Sequence, residues 1–427
     1  MVAAVACLAN GRCGCNAGAG TTRQAIATGQ GHPVKGKRRG SAANGGPASV
    51  TDQQLAAAVA DVIDPELRRP IGQMGMLRAA AVAGRAAQVL VALPSNDWPA
   101  AGHVSHAVSE AGRALDGIDD VVVEFTVMDE AEQSTLRAQL IGDPAATAGT
   151  QAGHGHAEGR EVPFAQAGNK TRVLLVASGK GGVGKSSVTV NLAIALAQRG
   201  TRTAVIDADV WGFSIPRMLG VARPPTVIDQ MVVPTEAHGV RCMSMGFFAR
   251  EDQPVIWRGP MLHKALEQFL TDVFWDEPDH LLIDLPPGTG DISLSLAQFL
   301  PRSEMLVVTT PQPAAQKVAQ RAAQMAGRVN LQVRAVIENM SWFTGDDGKR
   351  YELFGSGGGQ ALADELEVPL LGQVPLVPQL RAGGDEGMPI AAADPDSETA
   401  GVFQDMARLL CEEHLPTRRY NEGLKLL

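Results

Sequence analysis

Residues 178 to 187 read SGKGGVGKSS. Within them GKGGVGKS (179 to 186) fits the pattern G-x-x-x-x-G-K-[ST], a glycine-rich turn between a strand and a helix. Both flanks are present: VLLVAS before it is continuously apolar, and SSVTVNLAIALAQRG after it is rich in helix formers. Such glycines let successive backbone N–H groups point inward at phosphate oxygens, and the positive end of the helix adds to the attraction. The expected nucleotide contacts are therefore Gly179, Lys180, Gly181, Gly182, Val183, Gly184, Lys185, Ser186 and Ser187. Lys185 is placed to neutralise β- and γ-phosphates and the Ser186 hydroxyl to join Mg²⁺ coordination. The pattern itself assigns no task to the second lysine, Lys180.

Outward from this loop, short apolar runs alternate with helical ones: TAVID, HLLID, EMLVVTT, LQVRAVIE and PLLGQV. Continuously apolar strands separated by helices predict an α/β fold, a P-loop NTPase parallel sheet with helices on both faces. HLLIDLPPGTGD (280 to 291) ends a strand on Asp284, which is expected to hold Mg²⁺ through a water. VIDADVWGFS (205 to 214) offers Asp207 and Asp209. Either can orient the attacking water; Asp209, further into the loop, is the expected catalytic residue beside Lys180 and Lys185. The alternative is that both aspartates cap the segment that follows.

Composition narrows the partners. The chain has 427 residues, so more than one core is expected. No window approaches the roughly 18 apolar residues of a membrane helix, which argues against stable membrane association. A net charge of −9 repels a phosphate backbone, which argues against nucleic acid. Five dispersed cysteines do not form a secreted disulfide framework, and no export signal is read at the N-terminus, so the cytoplasm is the expected location.

Residues 1–50 combine Ala, Gly and a basic clump, KGKRRG, without apolar periodicity, and are expected to be a disordered tail. Residues 51–130 begin with the cap-like TDQQLAAAVADVIDPEL and continue through two strand-like runs, a helix from about Trp98 to Leu115, and DDVVVEFTV, which predicts a small α/β domain. Residues 131–168, with GDPAATAGTQAGHGHAEG, read as a flexible linker spanning roughly 30 Å. The P-loop domain is expected over 169–415, with a C-terminal tail over 416–427.

With its extra Lys180, SGKGGVGKSS is similar to the deviant phosphate loop of the MinD/ParA/nitrogenase-iron-protein class. The stretches DADVWGFSIPRMLG (207 to 220), VIWRGPMLHKAL (255 to 266), LLIDLPPGTGDISLSLAQ (281 to 298), ENMSWF (338 to 343), FGSGGG (354 to 359) and VPLLGQVPL (368 to 376) resemble the Mrp/ApbC branch, ATPases regarded as iron-sulfur cluster carriers. DPELRRPIGQMGML resembles the small iron-sulfur-assembly domain that often precedes them. The resemblance implies an ATP-hydrolysing homodimer that binds clusters and transfers them to apo client proteins, with Lys180 reaching the partner's nucleotide and Asn339 contacting adenine. Relatives commonly carry Cys-x-x-Cys between the NMS segment and the FG turn; here WFTGDDGKRYELFG (342 to 355) has no cysteine and reads as a hairpin turned by GDDG. A Cys-Pro of the small domain is likewise replaced by Trp98-Pro99. Cluster ligands are therefore unassigned, and two other readings stand beside the carrier: a metal-free, nucleotide-switched docking ATPase and a MinD/ParA-like positioning ATPase.

Overall fold

The computed structural model describes residues 50–142, 161–209, 212–248, 259–288, 291–313 and 331–412, with isolated positions between 315 and 327. The expected N- and C-terminal tails lie outside the described residues, as do His154 and His156 of the linker. Internal contacts divide the chain into two units at Leu136/Arg137.

The small unit opens with helix α1 (Asp52–Ala60), started by a capping box in which Thr51 and Gln54 satisfy each other's backbone N–H. Strands β1 (Leu77–Ala83) and β2 (Ala86–Leu93) form a hairpin, helix α2 (Ala101–Arg113) crosses over, and β3 (Asp120–Val127) returns parallel to β2. Leu55, Val59, Val89, Val91, Val104 and Val108 are fully buried between sheet and helices.

Helix α3 (Glu130–Ile141) corrects the linker expectation, which began at 131. Its start is fixed by Asp129 and Glu132, each accepting the other's backbone N–H at 2.9–3.0 Å. The expected linker also ended too late, because Val162 and Phe164 are already buried in the core of the large unit. Apolar residues are sparse in both segments, so composition outweighed the cap and the two buried side chains.

The large unit is built on eight strands. In chain order they are β4 (Arg172–Ser178), β5 (Thr203–Asp207), β6 (Thr235–Ala237), β7 (Val240–Ser244), β8 (His280–Asp284), β9 (Glu304–Thr309), β10 (Gln332–Asn339) and β11 (Leu370–Val374). Their order in the sheet is β6-β7-β5-β8-β4-β9-β10-β11, parallel throughout except for the edge strand β6. Helix α4 (Lys185–Gln198) follows the glycine loop, and α5 (Gly259–Thr271), α6 (Asp291–Phe299), α7 (Gly358–Glu365) and α8 (Glu398–Glu412) complete the layers. Two apolar clusters cover the sheet, one around Phe269, Leu270 and Ile283, the other around Leu192, Leu196 and Phe403. Both faces are thus buried, which is why the strands read as unbroken apolar runs. The sheet order puts β4 between β8 and β9, so the glycine loop leaves the carboxyl end of the sheet flanked by the ends of those two strands.

Candidate nucleotide site

The loop after β4 turns through two left-handed glycines, Gly182 (φ +80°) and Gly184 (φ +77°), which L-residues adopt only with strain. A Cβ on Gly184 would also lie 2.3 Å from Asn339 Nδ2. Gly184 is the N-cap of α4, so Lys185 begins the helix and the N–H groups of its first turn have no partner within it.

Three side chains of α4 converge on one carboxylate of β8. Lys185 Nζ lies 2.6 Å from Asp284 Oδ2, Ser186 Oγ donates to the same oxygen at 2.6 Å, and Thr189 Oγ1 donates to Asp284 Oδ1 at 2.8 Å. Asp284 is fully buried and Lys185 nearly so. Parallel pairing of β8 with β4 sets Asp284 opposite Val176, close behind the loop. Thr189 was not singled out from the sequence, although its place one helical turn after Lys185 is the signal that identifies it.

On the other side of β8, Asp207 ends β5. Its Oδ2 accepts from Ser244 Oγ at 3.0 Å and from the N–H groups of Ser214 and Ile215, and its Oδ1 accepts from the N–H of Asp209. Burial, reinforced by the Asp284 charge, pushes the Asp207 carboxyl up to about 7 against these hydrogen bonds. Asp207 thus holds the loop that follows it, as the capping alternative expected for that residue. Asp209 lies beside it, largely buried.

Lys180 leaves the other end of the loop and donates to Gln312 Oε1 at 3.1 Å, just beyond β9. That partner could not be read from sequence, because strand order alone brings β9 next to β4. Asn339, the last residue of β10, donates from Nδ2 to the Val183 carbonyl at 2.8 Å, while its buried Oδ1 has no partner. An adenine amino group would satisfy that oxygen. The hard oxygens of Ser186 and Asp284 side by side are donors suited to Mg²⁺, and the loop N–H groups are donors suited to phosphate, so these residues fit a magnesium nucleotide.

Thiolate chemistry is a different matter. Cys242 is fully buried in β7, and burial followed by the Asp207 charge pushes its thiol well above the ordinary range. Cys411 lies on α8 packed against the core. The segment 342–355 forms a hairpin, Phe343–Thr344 against Arg350–Tyr351, turned at Gly345–Gly348. Among the described residues no group of three or more His, Cys, Asp or Glu side chains could hold a metal ion. In the small unit Trp98 Nε1 donates to the buried Asp64 carboxylate at 2.8 Å, sealing the place where relatives were expected to carry a thiol. Cys7, Cys13 and Cys15 lie outside the described residues.

A strand, a two-glycine turn and a helix whose lysine and serine meet an aspartate on the adjacent parallel strand define a P-loop nucleotide-binding protein. Comparisons with known proteins narrow this class. The NUBPL iron-transfer P-loop NTPase family matches residues 169–411, and the iron-sulfur cluster assembly protein family matches 52–125. The iron-sulfur cluster carrier protein of Mycobacterium tuberculosis is 44% identical over 374 residues, covering 86% of this chain and 93% of its own. That of Bacillus subtilis is 37% identical over 362 residues, covering 84% and 97%. A nucleotide-binding protein of Archaeoglobus fulgidus solved with ADP is 32% identical, with a TM-score of 0.47, over 54% of this chain and 91% of that one. This chain belongs to the iron-transfer P-loop NTPase family, whose curated relatives are iron-sulfur cluster carrier proteins. No helix among the described residues is long and apolar enough to cross a membrane.

Proposed function

We propose that this protein is a cytoplasmic, homodimeric ATPase that takes up iron-sulfur clusters as cargo and transfers them to apo client proteins. The observation that carries the ATPase half is the convergence of Lys185, Ser186 and Thr189 on Asp284 behind a glycine loop with a second lysine. The family relationship carries the cargo.

In this reading the loop N–H groups from Gly179 to Ser187 cradle the phosphates. Lys185 exchanges its carboxylate partner for β- and γ-phosphate oxygens, while Thr189 keeps Asp284 in place. Mg²⁺, held by Ser186 and by Asp284 through a water, would offset charge on the phosphate oxygens. Asp209 orients the attacking water, and Asp207 positions Asp209 through the backbone it holds. Asn339 accepts from the adenine amino group. Lys180 releases Gln312 and reaches the nucleotide of the partner chain, which makes hydrolysis depend on pairing.

The hairpin offers Thr344, Asp346 and Asp347, hard oxygen donors poorly matched to iron-sulfur chemistry. A cluster carried by this chain needs thiolates from the client, or from Cys7, Cys13 and Cys15. The missing cysteine pair equally favours a docking ATPase switched by nucleotide without metal. Anaerobic reconstitution with iron and sulfide, followed by iron and acid-labile sulfide determination on the dimer, separates the two. Cluster absorbance with stoichiometric iron supports carriage, and iron-free protein with intact ATP turnover leaves the docking ATPase. The positioning alternative would require vesicle or DNA binding in the presence of ATP, and sedimentation without either removes it.

A further inference from the structure

Glu338 and Asn339 are successive residues of β10, and strand alternation sends their side chains to opposite faces. Asn339 faces the phosphate loop. Glu338, 1% exposed, faces a cavity of about 430 Å³ that also borders the hairpin and is lined by Ser341, Trp342, Arg350, Glu352 and Gln373 among others. Nothing in the nucleotide reading uses this cavity.

Its charges and hydrogen-bond groups are unbalanced. Among the described lining residues Arg350 is the one cation, and it is engaged, with Nη2 2.8 Å from Glu398 and its guanidinium 4.3 Å over the Trp342 ring. Glu338 receives the Gly359 N–H on Oε2 and the Gln373 amide on Oε1, which leaves one lone pair on each oxygen. Gln373, having donated to Glu338, keeps its carbonyl oxygen, and Glu352 adds an exposed carboxylate. Against these acceptors one buried donor stands without a partner, Trp342 Nε1. An anion would meet two carboxylates, and a bare metal ion would find too few ligands.

The complement is a cation with several N–H donors and a carbonyl oxygen close by, which describes a basic residue within an extended polypeptide. A planar guanidinium fits paired carboxylates better than an ammonium does. Tyr351, which also lines the cavity, and Leu353, 60% exposed on the same segment, offer apolar contact to flanking residues. We propose that this cavity receives an arginine side chain of a partner polypeptide, with the guanidinium on Glu338 and Glu352 and a peptide carbonyl on the Trp342 indole N–H. The hairpin, which lacks cysteine, then serves to dock a protein.

The test uses the full chain with ¹⁵N-labelled tryptophan, without nucleotide, so that its outcome is independent of the ATPase reading. N-acetyl-arginine amide is titrated while the indole resonance of Trp342, assigned with Trp342→Phe, is followed. The expected result is a saturable shift, at least about fivefold weaker for the neutral isostere N-acetyl-citrulline amide, and weakened to the citrulline level by Glu352→Gln. Glu352 is chosen because it is exposed and its carboxylate holds no other group among the described residues, whereas Glu338→Gln would disturb its bond to Gly359. Equal binding of citrulline, indifference to Glu352→Gln, equal binding of spermidine, a saturable response to phosphate instead, or no shift at Trp342 would each overturn the proposal.

Discussion

Asn339 donates its side-chain amide to the Val183 carbonyl at 2.8 Å, joining the end of β10 to the phosphate loop 156 positions earlier. The bond fixes the orientation of the amide, so the unpartnered Oδ1 points away from the loop carbonyl as a ready acceptor. Adenine offers an amino donor where guanine offers a carbonyl, so the site should prefer ATP. Asn339→Ala should weaken ATP binding about tenfold and GTP binding much less, because an unsatisfied buried acceptor and its ligand bond are lost together. Calorimetric titration with both nucleotides checks this, and an unchanged ATP/GTP ratio would count against the adenine role.

Gly184 sits against the same amide. Gly184→Ala places a Cβ 2.3 Å from Asn339 Nδ2 at a φ of +77°, so it meets both a clash and backbone strain. A loss of roughly 1–3 kcal/mol in stability is expected, together with nucleotide affinity. Combining it with Asn339→Ala should recover part of the stability loss, since the clash is removed and the strain remains. Urea denaturation of the two single variants and the double variant measures the coupling, and strictly additive losses would show that the two residues do not meet.

His280, the first residue of β8, is buried, and its imidazole is pushed down to about 4, chiefly by burial and then by the Arg172 charge. As pH falls the unfolded chain therefore takes up this proton first, near the ordinary histidine value of about 6.5. The stability contributed by neutral His280 is present above that value and is lost as pH falls through about 4. The loss is on the order of 3 kcal/mol. Asp207, its carboxyl pushed up to about 7, works in the opposite direction over the same range, so the test is a difference: between pH 7 and 4 the denaturant midpoint of the parent chain should fall relative to that of His280→Gln. Parallel acid limbs would remove His280 from the explanation.

Much of the large unit was legible because its strands are buried on both faces and so stand out as apolar runs; TAVID and HLLID coincide with β5 and β8. The spacing of GKGGVGKS carries the loop, and strand-end position carries Asp284. The sheet order was not legible, and with it went the partners it creates, such as Gln312 for Lys180 and the cavity behind Glu338. Helix α3 was hidden by its polar composition, since DEAEQSTLRAQLI shows little apolar periodicity and its cap is formed by acidic residues that also suit a linker. Sequence favours Asp209 over Asp207 only by its place further into the loop; the structure adds a physical distinction, Asp207 holding four donors.

The two loop lysines have different proposed addresses, Lys185 for the nucleotide of its own chain and Lys180 for the nucleotide of the partner. Mixing chains tests this directly. Lys185→Ala and Lys180→Ala should each abolish ATP hydrolysis alone. In a mixed dimer, the Lys180→Ala chain still binds ATP and receives an intact Lys180 from the Lys185→Ala chain. Random pairing of equal amounts should therefore restore roughly a quarter of the parent turnover, one working site in half of the dimers. Recovery near that level supports hydrolysis shared across a homodimer. A mixture as inactive as its components, with mixed dimers shown to form, would contradict it.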